Sequence, residues 1–258
     1  MAHELESSGW RIGVDIGGTF TDVVLWQDGA ADMRREKLLT TPDDPSRAVI
    51  DGIGRALANA GVAPADLVSV IHGTTLVANA LIERRGAPTG LITTRGFRDT
   101  LEIGREWRYD LYDLNIQMPA PLASRRRRQE VTERLTADGA VAIPLDEADV
   151  VRAAVALKAE GVEAIAVALL HSYRNPVHER RVGEILQATL PGMAVSLSSS
   201  VSPELGEYER SSTVVANAYV LPIFSRYVDR LVQALRQMGY ARDLLLVLSD
   251  GRCVQAET

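Results

Sequence analysis

Apolar and polar residues alternate with two different periodicities along the start of the chain, and each periodicity predicts one kind of element. Short apolar runs divided by turn residues predict three strands at 10–15, 21–26 and 32–39, with Asp28 and Gly29 in the second turn. A dinucleotide-binding domain opens instead with a strand, a helix and a strand. The pattern therefore predicts a three-stranded meander at the start of the fold.

The segment after the third predicted strand has the periodicity of a helix. Asp43 and Asp44 precede an apolar stripe and Gly61 follows it, which predicts a helix over 45–60. Apolar runs and stripes then predict a strand, a helix and a strand at 67–73, 75–85 and 89–94. The resulting order, βββαβαβ, is that of a ribonuclease H-like half within an α/β protein.

The second half of the chain is less regular at first. Residues 95–128 mix charges, aromatic rings and prolines, and predict an ordered excursion rich in loops. Regular αβ units follow, which implies parallel strand pairing with right-handed crossovers. Their predicted elements are a helix from the Asp146 cap to about Glu160, a strand at 163–170, a helix from Asn175-Pro176 to just before Pro191, and a strand at 193–200.

The most regular helical stripe covers 221–238, with Pro222 near its predicted start and Gly239 just past its end. A strand at 244–249 follows, close to the end of the sequence, and such a strand usually needs a neighbour on each side. We therefore expect a chain that is cut short. The predicted division is a flexible tail at 1–9, an N-terminal domain at 10–200, and connecting helices with the first strand of an incomplete domain at 201–258.

Composition narrows the class of protein. The 258 residues are 46% hydrophobic and 24% charged, and the net charge of −6 gives no reason to expect nucleic acid or an anionic membrane as a partner. The single cysteine, Cys253, excludes a disulfide framework and fits a reducing compartment. No apolar run is long enough to span a bilayer. We expect a cytoplasmic protein, with the arginine run at 125–128 on a solvated face or loop.

The sequence "DIGGTFTD" interrupts two apolar runs with residues suited to phosphate binding. Gly17 and Gly18 let backbone N–H groups approach an anion, and the Thr19 hydroxyl adds a donor, with Thr21 as a second candidate. Asp15 would repel a phosphate unless it holds Mg²⁺, directly or through water, beside the phosphate oxygens. A plain hairpin with a Gly-Gly turn is the alternative.

Further motifs occur in a fixed order after this turn: "HGTT" at 72–75, Asn79, and "TRGFRD" at 94–99. Together with "TFTD", they resemble the N-terminal domain of the hydantoinase/oxoprolinase family, whose members resemble the actin, hexokinase and Hsp70 superfamily of ATP-dependent enzymes. The resemblance covers essentially the whole chain from residue 10. It implies a phosphate turn at Asp15, Gly17, Gly18 and Thr19, with Asp15 near Mg²⁺ and with Thr21 and Asp22 as its extension.

The resemblance also marks residues whose roles stay open. His72 is either an acid/base group or a buried imidazole. The "HGTT" residues Gly73, Thr74 and Thr75 either hold an anion or substrate oxygen, with Asn79 on the same helix face as Thr75, or cap a helix. The loop residues Arg95 and Arg98 either contact substrate or fix the loop in ion pairs.

The implied activity is ATP- and Mg²⁺-dependent hydrolysis of cyclic amides or imides of the hydantoin or 5-oxoproline type, by phosphorylation of the amide oxygen. A ketone carboxylase subunit and a non-catalytic binding or assembly module are the alternatives. A hydantoinase B-type subunit or a missing C-terminal half is the implied partner, and a homo-oligomer is left open. Nucleic acid and membrane are not expected.

Only one Asp/Gly/Thr turn is present, and Arg252 stands where the family pattern has a second glycine after "SDG". In this superfamily the nucleotide lies between two halves that each supply a phosphate turn. We therefore expect the second turn and the adenosine pocket beyond Thr258 or in a separate chain. The 258 residues alone are predicted to fold largely but to bind ATP weakly.

Overall fold

A computed structural model of the protein describes residues 9–41, 43–105, 110, 112–113 and 115–256. The chain divides into two compact units: unit 1 comprises Met1–Glu83 and Ile223–Thr258, and unit 2 comprises Arg84–Pro222. Unit 2 therefore interrupts unit 1 in the sequence. Apart from Gly9, the predicted tail lies outside the described residues.

The strands of the described residues are, in chain order, β1 (Trp10–Ile16), β2 (Phe20–Gln27), β3 (Met33–Leu39), β4 (Leu67–Thr74), β5 (Thr89–Thr94), β6 (Arg128–Val131), β7 (Arg134–Leu135), β8 (Val141–Ile143), β9 (Ala164–Ala168), β10 (Ala194–Leu197), β11 (Leu244–Val247) and β12 (Cys253–Gln255). The helices are α1 (Pro45–Ala60), α2 (Leu76–Ile82), α3 (Thr100–Ile103), α4 (Glu147–Ala159), α5 (Val177–Thr189), α6 (Ser198–Val201) and α7 (Glu207–Met238).

Unit 1 is built on a mixed sheet of order β12-β11-β4-β1-β2-β3. The meander predicted at the start is confirmed, because β1, β2 and β3 pair antiparallel, and β4 and β11 extend the sheet with parallel pairings. The predicted element order βββαβαβ is present, but its last strand, β5, pairs in unit 2. The strand that pairs next to β4 in the unit 1 sheet is β11, which follows the whole of unit 2 in sequence.

The core of unit 1 lies on one face of this sheet. Alternate residues of β1, namely Ile12, Val14 and Ile16, are buried there against α1 and the second half of α7. Helix α1 has its predicted bounds, with the Asp44 side chain accepting from the Ser46 N–H and Gly61 in the left-handed conformation at its end. This packing leaves the opposite face of β1, which carries Asp15, outside the core.

Unit 2 contains a parallel sheet of order β10-β9-β5-β6 and a small hairpin of β7 and β8. The predicted parallel pairing of the αβ units is therefore confirmed. Strand β9 is buried throughout. Helices α4 and α5 contribute one apolar cluster of this unit, and the first half of α7 contributes another, which includes Val214, Val215 and Ala218.

Helix α7 begins 14 residues before its predicted start, at Glu207. Pro222 consequently lies inside the helix, where it removes one backbone N–H donor, rather than in the first turn. Buried side chains occur at 210, 211, 214, 215, 218 and 219, a helical period that continues the stripe at 221–238. The predicted start of this helix at 221 is wrong because Pro222 is typical of the first turn of a helix.

The prediction of a solvated face or loop holds for part of the arginine run at 125–128, because Arg125 and Arg126 are exposed, but it is wrong for Arg128. Arg125 pairs with Asp99, Arg126 with Glu160, and Arg128, which is fully buried, with Glu102. Ion pairing thus distributes these charges among separate partners. In the part of the chain that the structure describes, no helix is long and apolar enough to cross a membrane.

Candidate functional site

The turn between β1 and β2 presents backbone donors that no residue in the described part of the chain uses. The Gly17 N–H closes the turn by donating to the Phe20 carbonyl oxygen at 2.9 Å. The N–H groups of Gly18 and Thr19 donate to no described residue, and both residues are exposed. Two adjacent free N–H groups on an exposed turn are the donors that an anion such as phosphate requires.

The Asp15 carboxylate lies beside this turn and is exposed, with no hydrogen bond or ion pair to any described residue. A Cβ atom on Gly73 would lie 3.4 Å from Asp15 Oδ1, so the carboxylate lies against the bare backbone of β4. One unpaired carboxylate beside phosphate donors suits Mg²⁺, which binds through one or two carboxylates together with substrate phosphates and water. Among the described residues no cluster of three His, Cys, Asp or Glu could hold a metal by itself.

Thr40, which directly follows β3, supports the turn from one side. Its hydroxyl donates to the Gly17 carbonyl oxygen at 2.9 Å, and its N–H donates to the Thr19 carbonyl oxygen at 2.9 Å. Thr21 is fully buried and its hydroxyl lies 3.0 Å from that of Thr40, while Asp22 pairs with Lys37 at 3.1 Å. The structure thus places Thr21 and Asp22 in supporting contacts, and the Thr21 hydroxyl does not face the open side of the turn.

The "HGTT" segment supports the same turn from the other side. The Thr75 N–H and hydroxyl both donate to the Ile16 carbonyl oxygen at 3.3 Å, and the Asn79 amide donates to the Thr75 hydroxyl at 3.2 Å. The Asn79 Nδ2 atom would lie 3.5 Å from a Cβ atom on Gly18. The Thr74 hydroxyl accepts from the Leu76 N–H at 3.0 Å, while Thr75 occupies the N-cap position of α2 without a capping hydrogen bond from its side chain. The two sequence motifs therefore meet at one place in unit 1.

His72 lies on the other face of the sheet. In the parallel register His72 is beside Val14 and Gly73 is beside Asp15, so consecutive side chains point to opposite faces. His72 is 1% exposed, and burial lowers its pKa from 6.5 to about 4, an effect that the Val14 backbone opposes. The acid/base hypothesis for His72 has no geometric support, because a neutral imidazole on the buried face does not reach the face that carries Asp15.

Arg95 and Arg98 belong to unit 2, where they follow β5. The Arg95 guanidinium lies 3.3 Å from Asp149, and the Arg98 guanidinium donates to the Arg125 carbonyl oxygen at 3.0 Å. Arg95 therefore has the loop-fixing ion pair that was one of its two predicted alternatives. Among the residues described, Arg98 makes no ion pair with a carboxylate, although its charge, after that of Arg125, helps to lower the pKa of Asp99.

Sequence reasoning missed a set of buried polar groups in unit 2. Glu133 and His178 are buried and lie 2.7 Å apart, and the Thr94 hydroxyl donates to Glu133. Glu179 accepts from the Leu169 N–H at 2.9 Å and from the Ser198 hydroxyl at 2.6 Å. Thr94, Glu133 and Ser198 lie at or just after the ends of strands, which is the sequence signal that could have identified them, whereas His178 and Glu179 lie in the first turn of α5. All have partners, so their contacts are those of structural groups.

Two family descriptions match the chain. "Hydantoinase/oxoprolinase N-terminal region" matches residues 11–190, and "Hydantoinase/oxoprolinase" matches residues 210–258. The predicted boundary at residue 200 lies between these two matched ranges. It stays a prediction, since the compact units of the structure are divided differently.

Three relatives illustrate the similarity. The chain is 34% identical to caprolactamase subunit alpha of Pseudomonas jessenii and 34% identical to the acetophenone carboxylase gamma subunit of Aromatoleum aromaticum, over 94% and 93% of its length. It is 33% identical over 95% of its length to 5-oxoprolinase of Saccharomyces cerevisiae. It covers only 36%, 35% and 22% of these relatives, respectively. The crystal structure of the ATP-dependent caprolactamase from Pseudomonas jessenii superposes with a TM-score of 0.86 at 34% identity, over 94% of this chain and 36% of that one.

Proposed function

The chain belongs to the hydantoinase/oxoprolinase family, and on that premise we propose that it is the N-terminal part of an ATP-dependent hydrolase of cyclic amides. The observation that supports this proposal is the turn at 17–19, where the Gly18 and Thr19 N–H groups and the nearby Asp15 carboxylate have no partner among the described residues. The relatives named caprolactamase and 5-oxoprolinase support this substrate class. Because the chain spans about a third of such relatives or less, the activity is proposed for the whole assembly.

The chemistry follows from the weakness of an amide as an electrophile. Transfer of the γ-phosphoryl group of ATP to the amide oxygen, with ADP as the leaving group, makes the amide carbon open to attack by water. The C–N bond of the ring then breaks and the nitrogen leaves as an amine, and a second water hydrolyses the resulting acyl phosphate to a carboxylate and inorganic phosphate. Such a transfer depends mainly on positioning and on neutralising charge. Mg²⁺, when bound, would supply positive charge next to the phosphate oxygens.

The residues of unit 1 have distinct roles in this proposal. The Gly18 and Thr19 N–H groups and the Thr19 hydroxyl bind phosphate oxygens, and Asp15 holds the Mg²⁺, directly or through water. Thr40 and Thr75 keep the turn in place through the contacts described above. Arg98, which makes no ion pair with a carboxylate among the described residues, is the proposed second anion contact in unit 2.

Calorimetric titration of the chain with ATP and Mg²⁺ tests the turn. We expect weak, Mg²⁺-dependent binding that Asp15→Ala and Thr19→Ala each abolish. Asp51→Ala removes an exposed carboxylate on α1, away from the turn, and is expected to bind as the unmodified chain does. Binding that survives Asp15→Ala and Thr19→Ala would refute the assignment of the turn.

Ketone carboxylation is the second candidate, because the acetophenone carboxylase subunit is as similar to the chain as the caprolactamase subunit is. With the partner subunit present, ATP hydrolysis stimulated by a lactam or by 5-oxoproline indicates the hydrolase. Stimulation that requires both a ketone and bicarbonate indicates the carboxylase instead.

We propose a partner subunit of the hydantoinase B type, or a C-terminal segment, as the source of the second phosphate turn. The names of the caprolactamase and acetophenone carboxylase relatives identify them as subunits, which supports this expectation. A cytoplasmic location is proposed from the single, exposed, free Cys253.

A further inference from the structure

The side chain of Tyr227 on helix α7 contacts His72 near the end of β4, on the buried face of the sheet, opposite the face that carries Asp15. The Tyr227 hydroxyl lies 2.7 Å from His72 Nε2, and the two rings are 5.6 Å apart at an angle of 43°. Tyr227 is 5% exposed and His72 is 1% exposed. A polar pair enclosed in this way has a fixed geometry, because either group would lose its partner by moving.

The direction of this hydrogen bond follows from the environment of both groups. Burial raises the pKa of the Tyr227 hydroxyl, so the phenol keeps its proton, while the low pKa of His72 keeps the imidazole neutral. The other polar group near the ring is the Val14 backbone, which raises the pKa of His72. It is not close or aligned enough to be a hydrogen-bond partner of His72 Nδ1. The Tyr227 O–H therefore donates to Nε2, and the imidazole proton resides on Nδ1.

His72 is joined directly to the backbone that borders the candidate site. The next residue, Gly73, is the one against which the Asp15 carboxylate lies, and Thr75 donates twice to the carbonyl at the end of β1. A small displacement of β4 at His72 would shift both contacts. Nothing else on this face fixes the imidazole by a side-chain hydrogen bond among the residues that the structure describes.

We propose that Tyr227 is a positioning residue for the phosphate turn: it fixes the His72 ring and, through it, the Gly73 backbone under Asp15. The inference rests on the proposed function for the role of Asp15, but the Tyr227–His72 part can be tested without nucleotide. Sequence reasoning did not single out Tyr227, since its position on α7 belongs to the apolar stripe.

The test compares Tyr227→Phe with Tyr240→Phe. Tyr240 is the matched control, because it is also a buried tyrosine bonded to β4: its hydroxyl accepts from the Val70 N–H at 3.1 Å, two residues before His72. Both variants lose one buried hydroxyl, so both are expected to lose some stability. Only Tyr227→Phe removes the partner of His72.

The first readout is the ¹⁵N NMR spectrum of the imidazoles and of the Gly73 amide, without nucleotide. We expect the unmodified chain and Tyr240→Phe to give a His72 spectrum of the Nδ1–H tautomer, and Tyr227→Phe to change both the His72 and Gly73 signals. The second readout is Mg-ATP affinity, expected to weaken about fivefold in Tyr227→Phe, the effect of one buried hydrogen bond, and to stay unchanged in Tyr240→Phe.

Equal spectra and affinities in the two variants would overturn the proposal. If no form of the chain binds Mg-ATP, the proposal that the turn binds phosphate in this chain alone fails, and the NMR comparison still decides whether Tyr227 controls His72 and Gly73. If Tyr227→Phe does not fold, His72→Gln and His72→Leu replace it. Gln can accept from the Tyr227 hydroxyl and is expected to retain the Gly73 signal, whereas Leu is expected to lose it, and equal Gly73 signals in the two would overturn the proposal.

Discussion

Gly52 offers a sharp test of the packing of unit 1, because α1 contains two glycines in different surroundings. A Cβ atom on Gly52 would lie 2.7 Å from Val23 Cγ2 and 3.0 Å from Leu38 Cδ1. A Cβ atom on Gly54 would meet nothing closer than Met238 Cε at 3.9 Å. Gly52 is therefore a close approach of helix to sheet, and Gly54 is not.

Alanine at either position gains about 1 kcal/mol of helix propensity over glycine. At Gly52 the added methyl group also costs about 1–3 kcal/mol of overpacking, because Val23 is fully buried and β-branched and has little room to move. The expected net effect is a loss of about 1 kcal/mol for Gly52→Ala and a gain of about 1 kcal/mol for Gly54→Ala. The difference between the two variants isolates the packing cost, since the propensity gain cancels.

Thermal unfolding followed by circular dichroism measures this difference. For a protein of this size, 1 kcal/mol corresponds to a shift in Tm of about 2–4 °C. Gly52→Ala is expected to melt below the unmodified protein and Gly54→Ala above it. Equal shifts of the two variants, or a higher Tm for Gly52→Ala, would refute the close approach of α1 to β2 and β3.

Two further predictions concern buried ionisable groups. Arg210 is fully buried and donates to the Leu169 carbonyl oxygen at 2.8 Å and to the Ser198 hydroxyl at 3.1 Å, so Arg210→Met is expected to cost about 3 kcal/mol in urea unfolding. The exposed control, Arg180→Met, should stay within about 0.5 kcal/mol of the unmodified protein, and a loss as large as that of Arg210→Met would contradict the prediction. His72 has a folded pKa of about 4 against 6.5 when unfolded, so the unfolded state binds more protons between these values. Its contribution of about 3 kcal/mol to the free energy of unfolding is present above pH 6.5 and is lost as the pH falls towards 4. The difference in the free energy of unfolding between the unmodified protein and His72→Gln should therefore become smaller as the pH falls from 6.5 to 4. A difference that stays constant over this range would contradict the predicted direction of the pH dependence.

Much of unit 1 could be predicted from local sequence. The alternation of buried and open positions in β1, the Asp44 cap and the Gly61 stop of α1, and the glycines of the 17–19 turn each depend on residues close in sequence. Local signals failed at Pro222, which is typical of a helix start but lies within α7. They also failed at Arg128, which is buried and pairs with Glu102, 26 positions away in sequence.

The sequence by itself determined most of the longer elements, their order, and the residue types able to bind phosphate and Mg²⁺, because these follow from short-range periodicity and turn chemistry. Only the tertiary structure decided which sheet each strand joins: β5 pairs in unit 2 and β11 completes the sheet of unit 1. It also decided which face each side chain occupies, with Asp15 exposed beside Gly73 and His72 buried against Tyr227. The physical reason is that a strand is specified locally, whereas its partners and buried face depend on contacts between residues far apart in sequence, such as His72 with Tyr227 at 155 positions and Val70 with Tyr240 at 170.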